Sequence, residues 1–383
     1  FRRLPSRLAE LFVPSRFAPV ANADTKHTMA AVAYRQHGST EVLSYHPDYE
    51  KPVRDRGQTL VQIHAAAVNP VDFKMREHRI PSVVFPLPKI PGTDFAGEVV
   101  DTDSDSGFVA GDRVFGMMPL LGTPWGTCAR YVSIAHRFIA KAPKSIDLIE
   151  AASLPLVSLT VIQGLTRAIG SANHPTEGKK ILIQAGSGGL GTFAIQYCSR
   201  VLGMQVATTC SSDSAELVRS LGAQIVIDYH SEEFEQRIRD YDFVFDPLGH
   251  RLADRTLNSQ VLRHHGHYIH IAGSNWPPSD PGRFIPEASP RTLFANLTKQ
   301  CWRNATTHLG IGKVYYHLVF VHPSGKTLQQ VSRHVDRGKI VPVIDRTYPL
   351  AQTAAAHQYM EKGHARGKVV VVIDDQFLKD DSH

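Results

Sequence analysis

Residues 181–191 constrain this chain more than any other stretch. An apolar run, Ile181 to Ala185, ends in four glycines within six residues, and an apolar-periodic segment from Thr192 to Leu202 follows without a breaker. The pattern predicts a strand, a tight turn and a helix. Gly186, Gly188 and Gly191 stand at G-x-G-x-x-G spacing, with Ser187, Gly189 and Leu190 filling the gaps. The first glycine permits the turn, the second lets backbone approach a pyrophosphate, and the third lets helix and strand pack closely. The N–H groups that open the helix, at the positive end of its dipole, are then a phosphate seat. Glycine turns also serve purely structural ends, so the surrounding chain has to decide.

Downstream, strand-like and helix-like segments alternate: Gln205 to Thr209, a helix Ser214 to Leu221, Ile225 to Asp228, a short helix near Glu232 to Arg239, Phe243 to Asp246, and Tyr268 to Ala272. This spacing implies a parallel sheet with helices on both faces. Right-handed crossovers place the glycine turn at the carboxyl edge of that sheet, where ligands bind. A Pro-rich irregular stretch, 274–290, reads as a surface loop. After it come a strand-like run, Val314 to Val321, a helix from Thr327 to Arg337, and a final helix and strand, Ala351 to Glu361 and Lys368 to Ile373. Upstream, from Met29, the segments Ala30 to Tyr34, Leu60 to Ala66, Phe95 to Val100, Arg113 to Gly116 and Ala129 to Ile134 are short, alternating and punctuated by Gly and Pro, which predicts a compact antiparallel β domain. The character changes near Ile149 to Leu165, where small and apolar residues take helical spacing.

The 383 residues suffice for two domains, and 42% hydrophobic with 20% charged residues describes an ordinary globular chain. No apolar run approaches the roughly 18 residues that span a membrane. The net charge of +6 is scattered, with no aromatic-interleaved basic block, so nucleic acid is not an expected partner. Cys128, Cys198, Cys210 and Cys301 show no C-x-x-C pairing, which argues against a zinc knot or disulfide framework. His264, His265, His267 and His270 lie on an alternating run and read as strand histidines rather than metal ligands. Residues 1–28 carry Arg2, Arg3, Arg7 and Arg16 against one early acid, Glu10, with Leu4, Leu8, Leu11 and Phe12 on one helical face. That composition is shared by organelle-targeting segments; a retained docking extension or a plain basic tail are the alternatives. The expected location is mitochondrial, on the matrix side, with the cytoplasm as alternative. Gly325, Lys326 and Thr327 imitate a phosphate loop, but Phe320 occupies its first glycine position, so they read as a helix start.

The order of motifs resembles the medium-chain dehydrogenase/reductase superfamily, and within it the zinc-free quinone oxidoreductase-like branch. The marks are Ala67 to Asp72 with Asn69-Pro70 inside, Pro91 to Gly97, Gly111 to Gly116, Leu154 to Thr160, the glycine turn, and Gly363 to Lys368. The resemblance implies an α/β chain with a GroES-like β domain and a Rossmann doubly wound parallel sheet, the active site in the cleft between them. It divides the chain into a basic extension (1–28), a first part of the GroES-like catalytic domain (29–152), a Rossmann domain (153–318), a return to the catalytic domain (319–374) and a polar tail (375–383). It also implies a homodimer through the strand 314–321 or a place in a larger mitochondrial assembly.

Zinc-dependent relatives carry a Cys in the first motif and His-Glu in the second; here Asn69 to Asp72 hold no Cys, and Thr93-Asp94 stand in place of His-Glu. The expectation is no metal. Reduction of a quinone or an α,β-unsaturated carbonyl then rests on hydride positioning and on hydrogen bonds to the developing oxyanion. The resemblance puts Asn69 near the nicotinamide and substrate, although an Asn-Pro turn alone also explains it. Lys74 is the second catalytic candidate, either stabilising charge or merely exposed, and Asp72 reads as a structural acceptor. Thr160 matches the threonine that faces the nicotinamide. At the end of the second Rossmann strand, small hydroxyl residues favour NADP(H) over NAD(H), and Thr209, Ser211 and Ser212 stand there. Asp213 opposes that choice, and Arg219 is the compensating cation nearest in sequence. Asp246, Gly249 and Gly273 match loops lining the cofactor cleft. The competing expectation is a nucleotide-binding accessory subunit with little turnover.

Overall fold

The computed structural model describes residues 27–77, 86–170, 175–249, 251–271 and 314–374, with single positions at 298 and 302. The basic extension up to residue 26, Gly273, the Pro-rich stretch 274–290, Cys301 and the tail 375–383 lie outside the described residues. In chain order the strands are β1 (Thr28–Ala33), β2 (Ser44–Glu50), β3 (Gln58–Val68), β4 (Asp94–Thr102), β5 (Arg113–Met117), β6 (Tyr131–Ala135), β7 (Ile139–Lys141), β8 (Lys180–Ile183), β9 (Gln205–Cys210), β10 (Ile225–Asp228), β11 (Tyr241–Asp246), β12 (Leu262–Ile271), β13 (Tyr315–Val319), β14 (Ile344–Pro349) and β15 (Lys368–Val372).

Two sheets carry the fold. One is six-stranded and wholly parallel in the order β10-β9-β8-β11-β12-β13, so the chain steps outward from β8 in both directions and leaves a switch point between β8 and β11. The other follows β14-β15-β3-β4-β5-β7, with β6 also on β3. It is antiparallel except for β14 on β15, so the expected antiparallel domain contains one parallel pair. β15 is buried on both faces, which accounts for its unbroken valine run.

Several elements were not predicted. β2 is mostly exposed and interrupted by Pro47, and β7 is three residues long, so neither shows a usable alternation. The helix Pro70–Glu77 begins on a proline, which suits the first helical position as well as it suits a turn. The helix Arg251–Leu257 was also missed, and the helix at the glycine turn starts inside the turn, Gly189–Gln196, before a π-helical segment to Val201.

The helix Pro155–Ile169 lies across β12 and β13 and buries eleven of its residues. Two glutamines tie crossing segments to the parallel-sheet half. Gln163 donates to the His322 carbonyl at 2.7 Å and accepts from its N–H at 3.1 Å; Gln196 does the same with Val341, both at 2.9 Å. Between them runs the helix Gly325–Asp336, capped by the Ser324 hydroxyl, which accepts from the Thr327 N–H. The phosphate-loop imitation is therefore a helix start. Among the described residues no helix is long and apolar enough to cross a membrane.

Candidate active site

The glycine turn sits at the carboxyl end of β8, beside the switch point. Ala185 takes a left-handed φ of 57°, a strained choice for a residue with a Cβ, and is held there because its N–H donates to the Thr209 hydroxyl at 3.1 Å. The next N–H, of Gly186, donates to the Thr209 carbonyl at 2.8 Å. A Cβ on Gly186 would lie 2.0 Å from the Thr208 hydroxyl, and one on Gly191 would lie 2.3 Å from the Ala185 carbonyl. These two glycines are required by packing. At Gly188 a Cβ would meet nothing closer than the Ala185 carbonyl at 3.6 Å, so this position faces open space. Gly188 precedes the helix Gly189–Gln196, whose first-turn N–H groups have no partner within the helix. A cradle with one glycine open and two closed fits a pyrophosphate.

A second cluster abuts this turn. Gly188 forms a parallel bridge with Gly367, and a Cβ on Gly189 would touch the Lys368 side chain at 2.7 Å. Lys368 is buried, and its ammonium donates to the Asn69 side-chain oxygen, to Asp94 Oδ2 at 3.3 Å and to the Val68 carbonyl at 3.4 Å. Asn69 Nδ2 donates to Asp94 Oδ2 at 2.9 Å and to the Thr93 hydroxyl at 3.2 Å, while its backbone N–H donates to Asp72 at 2.8 Å. The other oxygen of Asp94 accepts from the Leu156 N–H at 2.7 Å, capping the helix Pro155–Ile169. Burial pushes the Asp94 carboxyl up against the opposing pull of Lys368, and burial raises Asp72 to about 7.

Asn69 is thus brought to the edge of the glycine turn, but its amide is committed within the protein on both its oxygen and its nitrogen. Lys74, on the helix Pro70–Glu77, is half-buried rather than exposed, and burial lowers it to about 8. Thr160 is buried on the helix Pro155–Ile169, where its hydroxyl donates to the Leu156 carbonyl at 2.7 Å. Ser211 and Ser212 stand at the end of β9, with Asp213 exposed beside them. The cation found at Asp213 is Arg366, 3.3 Å from its carboxylate. Asp246 is fully buried; one oxygen accepts from the Leu248 and Gly249 N–H groups at 2.8 Å and the other from the Tyr268 hydroxyl, so it shapes its loop from within. Gly249 supplies a positive φ of 69° there. His264, His265, His267 and His270 all lie on β12, and His267 hydrogen-bonds to His317 of β13 at 3.0 Å. Among the described residues no group of three or more His, Cys, Asp or Glu is placed to hold a metal ion.

Gly363 to Lys368 mark the family in sequence, but no role for Arg366 or Lys368 is legible there. Lysine ahead of four valines reads as the solvated start of a strand; its only local signal is the position directly after a glycine.

A glycine turn at the switch point of a parallel sheet, abutting a buried polar cluster on the second sheet, is the arrangement expected of a dinucleotide-dependent oxidoreductase. Residues 55–144 match the family described as alcohol dehydrogenase GroES-like domain, and residues 221–371 match the zinc-binding dehydrogenase family. The chain is 33% identical to the NADPH-dependent alkenal/one oxidoreductase, chloroplastic, of Arabidopsis thaliana, over 92% of this chain and 81% of that protein. It is 32% identical to the NAD(P)H oxidoreductase RTN4IP1, mitochondrial, of Mus musculus, over 93% and 92%. The structure of the quinone oxidoreductase from Coxiella burnetii superposes with a TM-score of 0.73 at 28% identity, covering 90% of this chain and 99% of that one. The chain belongs to the medium-chain dehydrogenase/reductase superfamily and is an oxidoreductase that uses a nicotinamide cofactor.

Proposed function

We propose that this protein is an NADPH-dependent, zinc-independent reductase of quinones or α,β-unsaturated carbonyls. The observation that carries the reading is the direct abutment of the glycine cradle on the Asn69–Lys368–Asp94 cluster through the Gly188–Gly367 bridge. The similarity to an alkenal/one oxidoreductase and to a quinone oxidoreductase supports both acceptor classes. Zinc does not fit the cluster: its side chains are an amide, a hydroxyl, an ammonium and carboxylates, with neither thiolate nor imidazole among them.

When bound, the nicotinamide supplies the hydride. The N–H groups of the first turn after Gly188 would hold the pyrophosphate, and Asn69, Lys368 and Asp94 form one hydrogen-bonded cluster against that turn. Lys74 offers an ammonium to the oxygen on which charge develops. It can donate only while protonated, so its contribution is present below about pH 8 and fades as pH rises through that value. In Lys74→Met, kcat/KM is expected to fall by about 10- to 100-fold and to lose its alkaline limb near pH 8. An unchanged limb removes Lys74 from the mechanism.

Preference for NADPH rests on Ser211, Ser212 and Arg366, the guanidinium that Asp213 holds at the end of β9. Arg366→Ala is expected to raise the Kd for NADPH by about tenfold, one lost charge-assisted contact, and to change that for NADH less than twofold, as read by nucleotide fluorescence. Equal losses for both nucleotides refute the assignment.

The whole reading is tested by titrating the protein with NADPH and NADH and then offering a panel of quinones and enones. Tight binding with no acceptor reduced favours the accessory-subunit alternative, and no binding of either nucleotide sinks both. We also propose mitochondrial residence, supported by the Arg-rich N-terminal composition and by the mitochondrial relatives; residues 1–28 fused to a fluorescent reporter should direct it there, and a cytoplasmic signal counts against it. β13, at the edge of its sheet among the described residues, is the strand offered to a second copy.

A further inference from the structure

Lys368 is in contact with three parts of the molecule at once. Its stem lies under Gly189, in the first turn of the phosphate-seat helix. Its ammonium fixes the Asn69 oxygen, next to the helix that carries Lys74. Through Asp94 it reaches the N–H of Leu156, and so the start of the helix that carries Thr160. Its backbone is wedged as well: the Lys368 N–H donates to the Val343 carbonyl at 2.8 Å, and a Cβ on neighbouring Gly367 would lie 2.4 Å from that carbonyl. A side chain needed only for stability could be replaced by an apolar one of the same length once the charge on Asp94 was also removed. The three-way contact suggests a different use.

We propose that Lys368 is a positioning residue that couples the nucleotide-holding turn to Asn69, setting the nicotinamide and the acceptor at a common height in the cleft. An amide deprived of the ammonium keeps its donors but loses the partner that orients its oxygen, and the stem beneath Gly189 loses the anchor at its far end. The kinetic arm of this proposal rests on the reductase reading; the protein-only arm does not.

Two variants separate positioning from stability. Lys368→Met keeps the stem and strands a buried carboxylate, so a fall in thermal stability is expected. Adding Asp94→Asn restores neutrality, and the pair Lys368→Met/Asp94→Asn should recover most of the lost stability. In the pair, kcat is expected to stay at least about tenfold below wild type with the Kd for NADPH within about threefold, a split that signals misplacement rather than lost binding. The isotope effect with NADPH deuterated at the transferred position should rise, because hydride transfer becomes the slow step. Asp94→Asn alone, which keeps the ammonium on Asn69, should retain more activity than the pair. A pair that recovers kcat together with stability overturns the proposal, as does a fully active Lys368→Met.

Should wild type reduce no acceptor, the reductase reading fails and hydrogen exchange still decides the coupling. In the pair, amides in 186–196 and in 65–77 should both exchange faster relative to β10, at the far edge of the parallel sheet from the cluster's own strands. Faster exchange in only one of the two segments overturns the coupling.

Discussion

Gly188→Asp is expected to raise the Kd for NADPH at least about 100-fold while leaving the protein as stable as before or slightly more so. The two effects have separate causes. Gly188 has extended backbone, φ −77° and ψ 170°, that any residue adopts, and a Cβ there meets only the Ala185 carbonyl at 3.6 Å. Aspartate is also a good N-cap, better than glycine by a few tenths of a kcal/mol. The new carboxylate therefore satisfies the helix end itself and leaves the cofactor's phosphates facing a like charge on an occupied seat. Fluorescence titration beside a thermal melt reads both effects. Retained nucleotide binding would falsify the placement of the phosphates on this turn, and a collapse in melting temperature would mean that the position is packed rather than open.

The second large effect is expected from Asp94→Leu. The substitution removes a carboxylate that accepts from Lys368, Asn69 and the Leu156 N–H, all of them buried. It leaves an ammonium uncompensated in the interior, for which a loss of about 3–5 kcal/mol is typical. Urea unfolding should show the midpoint falling with an unchanged slope. A loss below about 1 kcal/mol would mean that water already reaches the cluster and shields it. Asn at the same position should lose less, since its side-chain oxygen still accepts from Leu156.

Much of this molecule is written locally. The strand–turn–helix at 181–191 and the alternation after it are short-range patterns, and β8 to β11 appear within a few residues of where alternation puts them. The helix start at Gly325 was equally legible, because one absent glycine at Phe320 excludes the phosphate loop. The site was legible only in part. Asn69 stands beside the glycine turn, yet its amide faces inward, and nothing near it in sequence announces Lys368 or Asp94 as its partners. Lys74 admits both a charge-stabilising and an exposed reading, and nothing near it in sequence announces that it is half-buried. The cation nearest to Asp213 in sequence is Arg219, on the following helix, whereas the one at its carboxylate, Arg366, arrives from the far end of the chain. Each miss is a contact between distant segments, and periodicity carries no information about those.

β15 lies between β14 and β3, and Lys368 at its head closes on Asn69, 299 residues earlier. A ribosome therefore releases the first sheet with a vacancy in its middle. β3, β4, β5 and β6 can pair as soon as they emerge, but the stretch of β3 from Ala65 to Val68 stays open, and Asp94 stays without its ammonium, until residues 368–372 are made. An unpaired strand edge held open for that long invites wrong pairing. Nascent chains of this protein should depend on chaperones late in synthesis, and a truncation ahead of residue 368 should damage the amino-terminal sheet more than the parallel sheet nearer to the cut.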